Sequence, residues 1–166
     1  MLTCAGRGMT DFREFIHRVP QCVTVVSTYV NGGYYGMTVS SFTSVSFDPP
    51  LVAISLARKS LTCDMVLASK KFAINLLNQH QSYISDVFAY VDHGERFKRV
   101  RFRLENEAYP VLEDVLGALF CSVDSTYEVG DKMLIIGRVD DCKVYSDKLP
   151  LVYYQRQFFT LKPVDE

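Results

Sequence analysis

The stretch Gly36–Leu51, GMTVSSFTSVSFDPPL, constrains this chain more than any other. Thr38, Ser40, Ser41, Thr43, Ser44 and Ser46 carry hydroxyls, with Tyr35 just before, and they are interleaved with Met37, Val39, Phe42, Val45 and Phe47. A simple buried strand would not hold so many hydroxyls, because each buried one needs a partner. A surface loop would not hold so many large apolar residues. The mixture predicts backbone held firmly while facing a polar, flat or anionic guest. Pro49 and Pro50 cannot donate ladder hydrogen bonds, so the chain is expected to turn there.

At 166 residues, 48% of them hydrophobic and 22% charged, the chain is long enough for one domain with a substantial core. Residues 1–166 read as that domain, with 1–9 as a poorly structured N-terminal extension. A net charge of −1 lacks the basic excess of a nucleic-acid binder. Cys4, Cys22, Cys63, Cys121 and Cys142 are irregularly spaced and form no Cys-x-x-Cys, so neither a disulfide framework nor a zinc site is expected. They read as small buried residues in a reducing compartment. No apolar run approaches the roughly 20 residues of a transmembrane helix, and the N-terminus lacks a signal peptide's apolar segment. A cytoplasmic protein without membrane association is expected.

Periodicity predicts a short helix over Asp11–Val19, with Asp11 and Glu14 resembling a capping box. Cys22–Val30 is rich in β-branched residues and reads as a strand, returned through Asn31-Gly32-Gly33 into the hydroxyl-rich stretch. Leu51–Ala57 follows as a buried strand. Ser60 reads as the N-cap of a helix over Leu61–Ala68, with Leu61, Met65 and Ala68 on its apolar face. Phe72–Leu77 is a strand interrupted by Asn75, and Gln79–Tyr90 has helical spacing. A charged, irregular segment runs from Gly94 to about Arg103. Ala118–Glu128 and Lys132–Val139 read as strands joined at Val129-Gly130-Asp131, and Leu151–Leu161 as a final aromatic-rich strand. Hairpins without regular βαβ alternation predict a mainly β fold with short helices, an antiparallel barrel.

Standard catalytic constellations are missing. His17, His80 and His93 show no metal-ligand spacing, and no nucleophile elbow, Walker loop or dinucleotide fingerprint is present. Two polar clusters remain. One is the opening stretch. The other, Ser55–Thr62, places Arg58, Lys59, Ser60 and Thr62 where a strand gives way to a helix N-terminus, a sound site for a phosphate. Asn75 reads either as a tie between strands or as a ligand contact.

GMTVSSFTSVSFDPPLVAISLARKSLT, KKFAINLLNQHQ, GERF, GDKMLIIGRV and PLVYYQRQF together resemble the flavin reductase-like family, in its order and spacing, from about Phe12 to Phe159. The resemblance implies the FMN-binding split-barrel fold of Greek-key type and NAD(P)H:flavin oxidoreductase activity. It implies a homodimer with FMN or FAD near the subunit interface, and NADH or NADPH as co-substrate. Reduced flavin would pass to a partner monooxygenase or to an acceptor such as ferric iron. Gly36, Met37, Thr38, Val39, Ser40 and Ser41 would line the isoalloxazine ring, with Ser55, Leu56 and Ala57 continuing the wall. Ser60 and Thr62 would hold the phosphate, and Arg58, Asn75 and Phe97 complete the implied cofactor set. Phe42–Phe47 would carry the chain through the core toward the interface. Where the family usually has Gly-Asp-His, this chain has Gly130-Asp131-Lys132. Lys132 is thus the candidate catalytic residue, keeping positive charge but losing the flat ring. That substitution also admits a second reading, a flavin-binding electron carrier or redox sensor without nicotinamide turnover.

Overall fold

The computed structural model describes residues 5–164, and their side chains from residue 11 onward. Helix α1 (Ala5–His17) leads into β1 (Gln21–Cys22), β2 (Thr24–Val30) and β3 (Gly33–Val39). The β2–β3 turn has Asn31 and Gly32 at φ 49° and 84°, the left-handed values expected of the Asn-Gly pair. β4 (Thr43–Phe47) and β5 (Pro50–Ala57) form a second hairpin, turning at Asp48-Pro49 as the prolines require. Helix α2 (Leu61–Ser69), β6 (Lys71–Leu76), α3 (Ser82–Tyr90) and the single turn α4 (His93–Arg96) follow. A short 3-10 turn then leads to the hairpin of β7 (Phe102–Glu105) and β8 (Tyr109–Leu112). The long pair β9 (Gly117–Val129) and β10 (Lys132–Val144) precedes the closing hairpin β11 (Val152–Tyr154) and β12 (Gln157–Phe159).

Seven strands make the main sheet, in the order β3-β2-β6-β9-β10-β5-β4, and every pairing among the described residues is antiparallel. Register shifts in β9–β10, between Ile136 and Gly137 and between Val139 and Asp141, bend the sheet at its longest strands. Its two edge strands, β3 and β4, are successive in sequence and joined by the short link Ser40–Phe42. The result is a curled, mainly β split barrel with short helices.

The sheet separates two apolar cores. Val26, Ile54, Leu56, Phe72, Ile74, Cys121 and Ile135 fill the inside of the curl, roofed by Cys63 and Val66 of α2. Val25, Ala73, Ala118 and Phe120 point to the opposite face, where α3, β8 and Leu151 cover them. The helix faces follow from this. α2 buries Thr62, Cys63 and Val66 rather than the Leu61, Met65, Ala68 face. It is apolar almost all round, so spacing alone does not choose its buried side.

Asn75 takes the tying role. Its side chain is fully buried; the amide nitrogen donates to Val25 O and Ser27 Oγ at 3.1 and 3.0 Å, and Oδ1 accepts from Leu112 N–H at 3.0 Å. It joins β2, β6 and β8 and has no ligand-facing surface.

Other expectations change. Helix α1 runs on both sides of Asp11, so the Asp11–Glu14 pair does not cap it. Residues 1–4 of the expected extension lie outside the described residues. The segment from Gly94 to Arg103 is ordered by α4, the 3-10 turn and β7, whose pairing with β8 the charged sequence hides. Leu151–Leu161 is a hairpin rather than one strand, because Gln155 and Arg156 adopt left-handed φ of 47° and 63°. β4 does not pass through the core: Val45 is 53% and Phe47 92% exposed. No helix among the described residues is long and apolar enough to cross a membrane.

Two outcomes follow. Asn75→Ala strands several buried partners and is expected to cost about 3 kcal/mol in urea unfolding, since each unsatisfied buried group costs about 1–3 kcal/mol. Cys63 and Cys121 are buried free thiols, and burial pushes the Cys121 thiol up to about 12. Because only a thiolate reacts, iodoacetamide should label exposed Cys142 in the native protein but reach Cys63 and Cys121 only after unfolding, as read by peptide mass mapping.

Candidate functional site

β3 has a partner on one side only, so half of its peptide groups face an open edge. Its side chains divide by the pleat. Met37 and Val39 point into the inner core, while Gly36 and Thr38 lie beneath α3. A Cβ on Gly36 would sit 2.9 Å from the Phe88 ring and 3.1 Å from Val26 O, so glycine is what lets α3 close onto the strand. Thr38 Oγ1 donates to Ser85 O at 2.6 Å. Arg96, almost fully buried, donates from Nε to Val91 O and from a terminal nitrogen to Gly36 O, at 2.7 Å each. Desolvation lowers its pKa, and Asp92 opposes that. Gly36 O therefore faces the open edge. By the alternation of an antiparallel ladder, the N–H and C=O of Thr38 face it too.

Past the end of β3, the Ser41 hydroxyl pairs with β5 as a peptide group would. It accepts from Ser55 N–H and donates to Ser55 O, both at 2.9 Å. This contact brings the two polar clusters together. On β5, Leu56 points inward and is fully buried, whereas Ser55 and Ala57 are half-buried on the outer face, opposite Leu134 and Lys132 of β10.

Ser60 caps α2 as its sequence predicts, its Oγ accepting from Cys63 N–H at 3.1 Å and donating to Ala57 O at 2.8 Å. The same oxygen lies 3.7 Å from Met37 Sδ, which ties the helix end to β3. First-turn N–H groups have no acceptor within a helix. With the Cys63 N–H capped, those of Leu61 and Thr62 are left for an outside acceptor. Thr62 Oγ1 is buried without a hydrogen-bond partner. A lone buried hydroxyl costs about 1–3 kcal/mol, so an orphan at the positive end of a helix marks a place prepared for an anion.

Arg58 is turned elsewhere. Its guanidinium lies 2.9 Å from the Glu128 carboxylate and donates to Gly130 O at 3.1 Å, while its N–H donates to Asp131 O at 3.1 Å. It locks the β5–α2 connection to the β9–β10 turn. Lys132 opens β10 opposite Ala57, with Nζ 2.8 Å from the Asp131 carboxylate. The ammonium holds that carboxyl below its usual range.

Thr38, Ser40, Ser41, Ser55, Ala57, Ser60, Thr62 and Lys132 thus come together around the β3 edge and the α2 N-terminus. The side chains of Val39, Leu56 and Asn75 do not, since packing or tying uses all three, and Gly36 serves the close approach of α3. Met37 contributes only its sulfur, beside Ser60. Phe97 stands in a neighbouring aromatic cluster, 5.0 Å from the Phe88 ring and 5.7 Å from Tyr34. Arg96 and Phe88 escape sequence reasoning: the first reads as one more surface charge, the second as ordinary core. The arrangement can hold an anion at the helix end and hydrogen-bond a flat heterocycle along the strand edge.

The sequence profile of the family described as "Flavin reductase like domain" matches residues 16–162. The chain is 33% identical over 145 residues to a flavin reductase of Pseudomonas putida, covering 87% of this chain and 85% of that protein. It is 29% identical over 156 residues to the reductase component of an FADH(2)-dependent resorcinol hydroxylase of Rhizobium sp., covering 92% and 87%. Among solved structures it resembles the NADH:FAD oxidoreductase SgcE6 of Streptomyces globisporus, in complex with NAD and FAD fragments. That match has a TM-score of 0.88 and 26% identity and covers 96% of each chain. A profile spanning nearly the whole domain, and a relative matched over most of both chains, place this chain in the flavin reductase-like family.

Proposed function

We propose that the protein is an NAD(P)H:flavin oxidoreductase that takes FMN or FAD along the β3 edge, with the flavin phosphate at the start of α2. The observation that carries this reading is the unpartnered buried hydroxyl of Thr62 beside the Ser41–Ser55 junction. The residues present fit a flavin nucleotide. The Leu61 and Thr62 N–H groups and the Thr62 hydroxyl suit a phosphate. The Thr38 N–H, on the open edge of a strand held on its other side by β2, suits the polar edge of the ring. Bound flavin supplies the hydride-accepting chemistry that no side chain here provides.

The protein's own contribution is placement and charge. Ser41 holds the strand edge to β5, and Ser55 and Ala57 keep the outer wall small enough for a flat ring to approach. Lys132 adds positive charge beside Ala57, where it favours negative charge on a nearby ring. The relatives support transfer of reduced flavin to a partner monooxygenase, with NADH or NADPH as the donor. We further infer a cytoplasmic homodimer. Val45, Phe47, Tyr127 and Val129 lie exposed on β4 and the far end of β9, and a second copy would cover them.

Purified protein mixed with FMN or FAD and either nucleotide should oxidise the nucleotide, followed by the fall in its near-ultraviolet absorbance. A yellow protein that turns over neither nucleotide would instead be the electron carrier or sensor. Thr62→Val removes an orphan hydroxyl, so stability should hold or rise. Flavin affinity should nevertheless fall roughly fivefold to tenfold, about one hydrogen bond's worth, by fluorescence titration. Unchanged affinity would show that the phosphate lies elsewhere. Lys132→Ala should raise the nicotinamide KM more than the flavin Kd, and Lys132→His should restore it in part; the opposite order would remove Lys132 from the donor side.

A further inference from the structure

We propose that Arg96 is a positioning residue that sets where the flavin ring docks on β3: by occupying Gly36 O it closes one position of the open edge and leaves the Thr38 pair, on its Ser41 side, to the guest. This rests on the flavin reading above and deepens it. An open strand edge does not define a register by itself, because its outward peptide groups repeat every two residues. Gly36 presents the same N–H and C=O to the edge as Thr38 does, about 7 Å away. Side chains do not separate the two positions. Gly36 has none, and the Thr38 hydroxyl is taken by Ser85 O.

Arg96 stands at one of them. It is the last residue of α4 and is almost fully buried. Its guanidinium spans two elements: Nε donates to Val91 O at the C-terminal cap of α3, and a terminal nitrogen donates to Gly36 O, both at 2.7 Å. A planar fork fixed at two points is held more rigidly than a lysine ammonium would be. No carboxylate pairs with it among the described residues, so its charge is directed to those two carbonyls. A neutral amide could tie α4 to β3 without the cost of burying a charge. The guanidinium does something an amide would not. A charge-assisted hydrogen bond is about twice as strong as a neutral one, so an N–H of a neutral ring does not displace it. Charge turned inward at a strand edge is a common way to stop further pairing there.

Register matters because the ring and phosphate of a flavin nucleotide are joined by one tail. Where the ring sits decides whether the phosphate meets the Leu61 and Thr62 N–H groups and the Thr62 hydroxyl. Ser60 Oγ, 3.7 Å from Met37 Sδ, fixes that helix end against the same strand. Arg96 closes Gly36 on one side of Met37, and Thr38 stands open on the other. Arg96 therefore touches neither ring nor phosphate and acts through β3.

Arg96→Met keeps much of the bulk and frees Gly36 O. Kd values for FMN, and for riboflavin, which has the ring and no phosphate, come from fluorescence titration. The FMN Kd should rise roughly fivefold to tenfold as the phosphate contact is lost. Riboflavin should stay within about twofold, since a slipped ring finds an equivalent pair. Thr62→Val should then weaken FMN by less than about twofold in the Arg96→Met background, because the two residues act on one binding geometry. A purely structural tie predicts the contrary: FMN and riboflavin weaken together, and the two substitutions add. Either result, or an unchanged FMN Kd, overturns the proposal. Arg96→Gln, shorter and uncharged, takes the same titrations and the same pairing with Thr62→Val if Arg96→Met does not fold. If the unaltered protein binds neither compound, or if Thr62→Val alone leaves FMN affinity unchanged, the flavin reading fails and this inference with it.

Discussion

The central strands of the sheet are covered on both faces, and much else follows from that. β2, β6 and the first half of β9 send alternate side chains into two separate cores, so nearly every position there is committed to packing. Where a polar residue does fall there, as at Asn75, its hydrogen-bonding capacity is spent inside the protein. Binding chemistry is left to places where coverage ends: the open edge of β3, the outer face of β5, the start of α2 and the β9–β10 turn. These meet because β3 and β4 are successive strands at opposite edges of a curled sheet, with the Ser41–Ser55 contact at the seam.

Much of this was legible in the residues. The Asn31-Gly32 turn, the Ser60 cap and the two hydroxyl-rich clusters depend on local chemistry, and local chemistry is what a sequence displays. The parts that were hidden depend on distant partners. Arg96 looks like a surface charge until Gly36 O and Val91 O are seen to bury it. Arg58 looks like a phosphate ligand until Glu128 and Gly130 are seen to hold it. Leu56 and Val39 belong to the right stretches but to the wrong side of the pleat for a side chain to reach a guest. Period-two alternation predicts that division, though the residue types alone do not say which face is wet. The closing hairpin was hidden for another reason: its turn uses Gln155 and Arg156 rather than glycine or asparagine.

The site is also economical in ionised groups. Apart from Lys132 and the buried Arg96, the residues around the strand edge are hydroxyls, peptide groups and small apolar side chains. Such a surface recognises shape and hydrogen-bond pattern through uncharged groups, and the Lys132 charge sits at the β9–β10 turn. Arg58 ties that turn to the helix that offers the phosphate site. The two ends of the site are therefore one mechanical piece.

The outer face of β4 has a consequence during synthesis rather than afterwards. On the homodimer reading, each new chain passes through a stage in which an unpaired edge strand carries Val45 and Phe47 uncovered. That is the geometry of edge-to-edge aggregation. Productive assembly then competes with precipitation for the same surface, and crowding new chains together accelerates both. Slow expression at low temperature would favour the folded product by giving each chain time to find its mate.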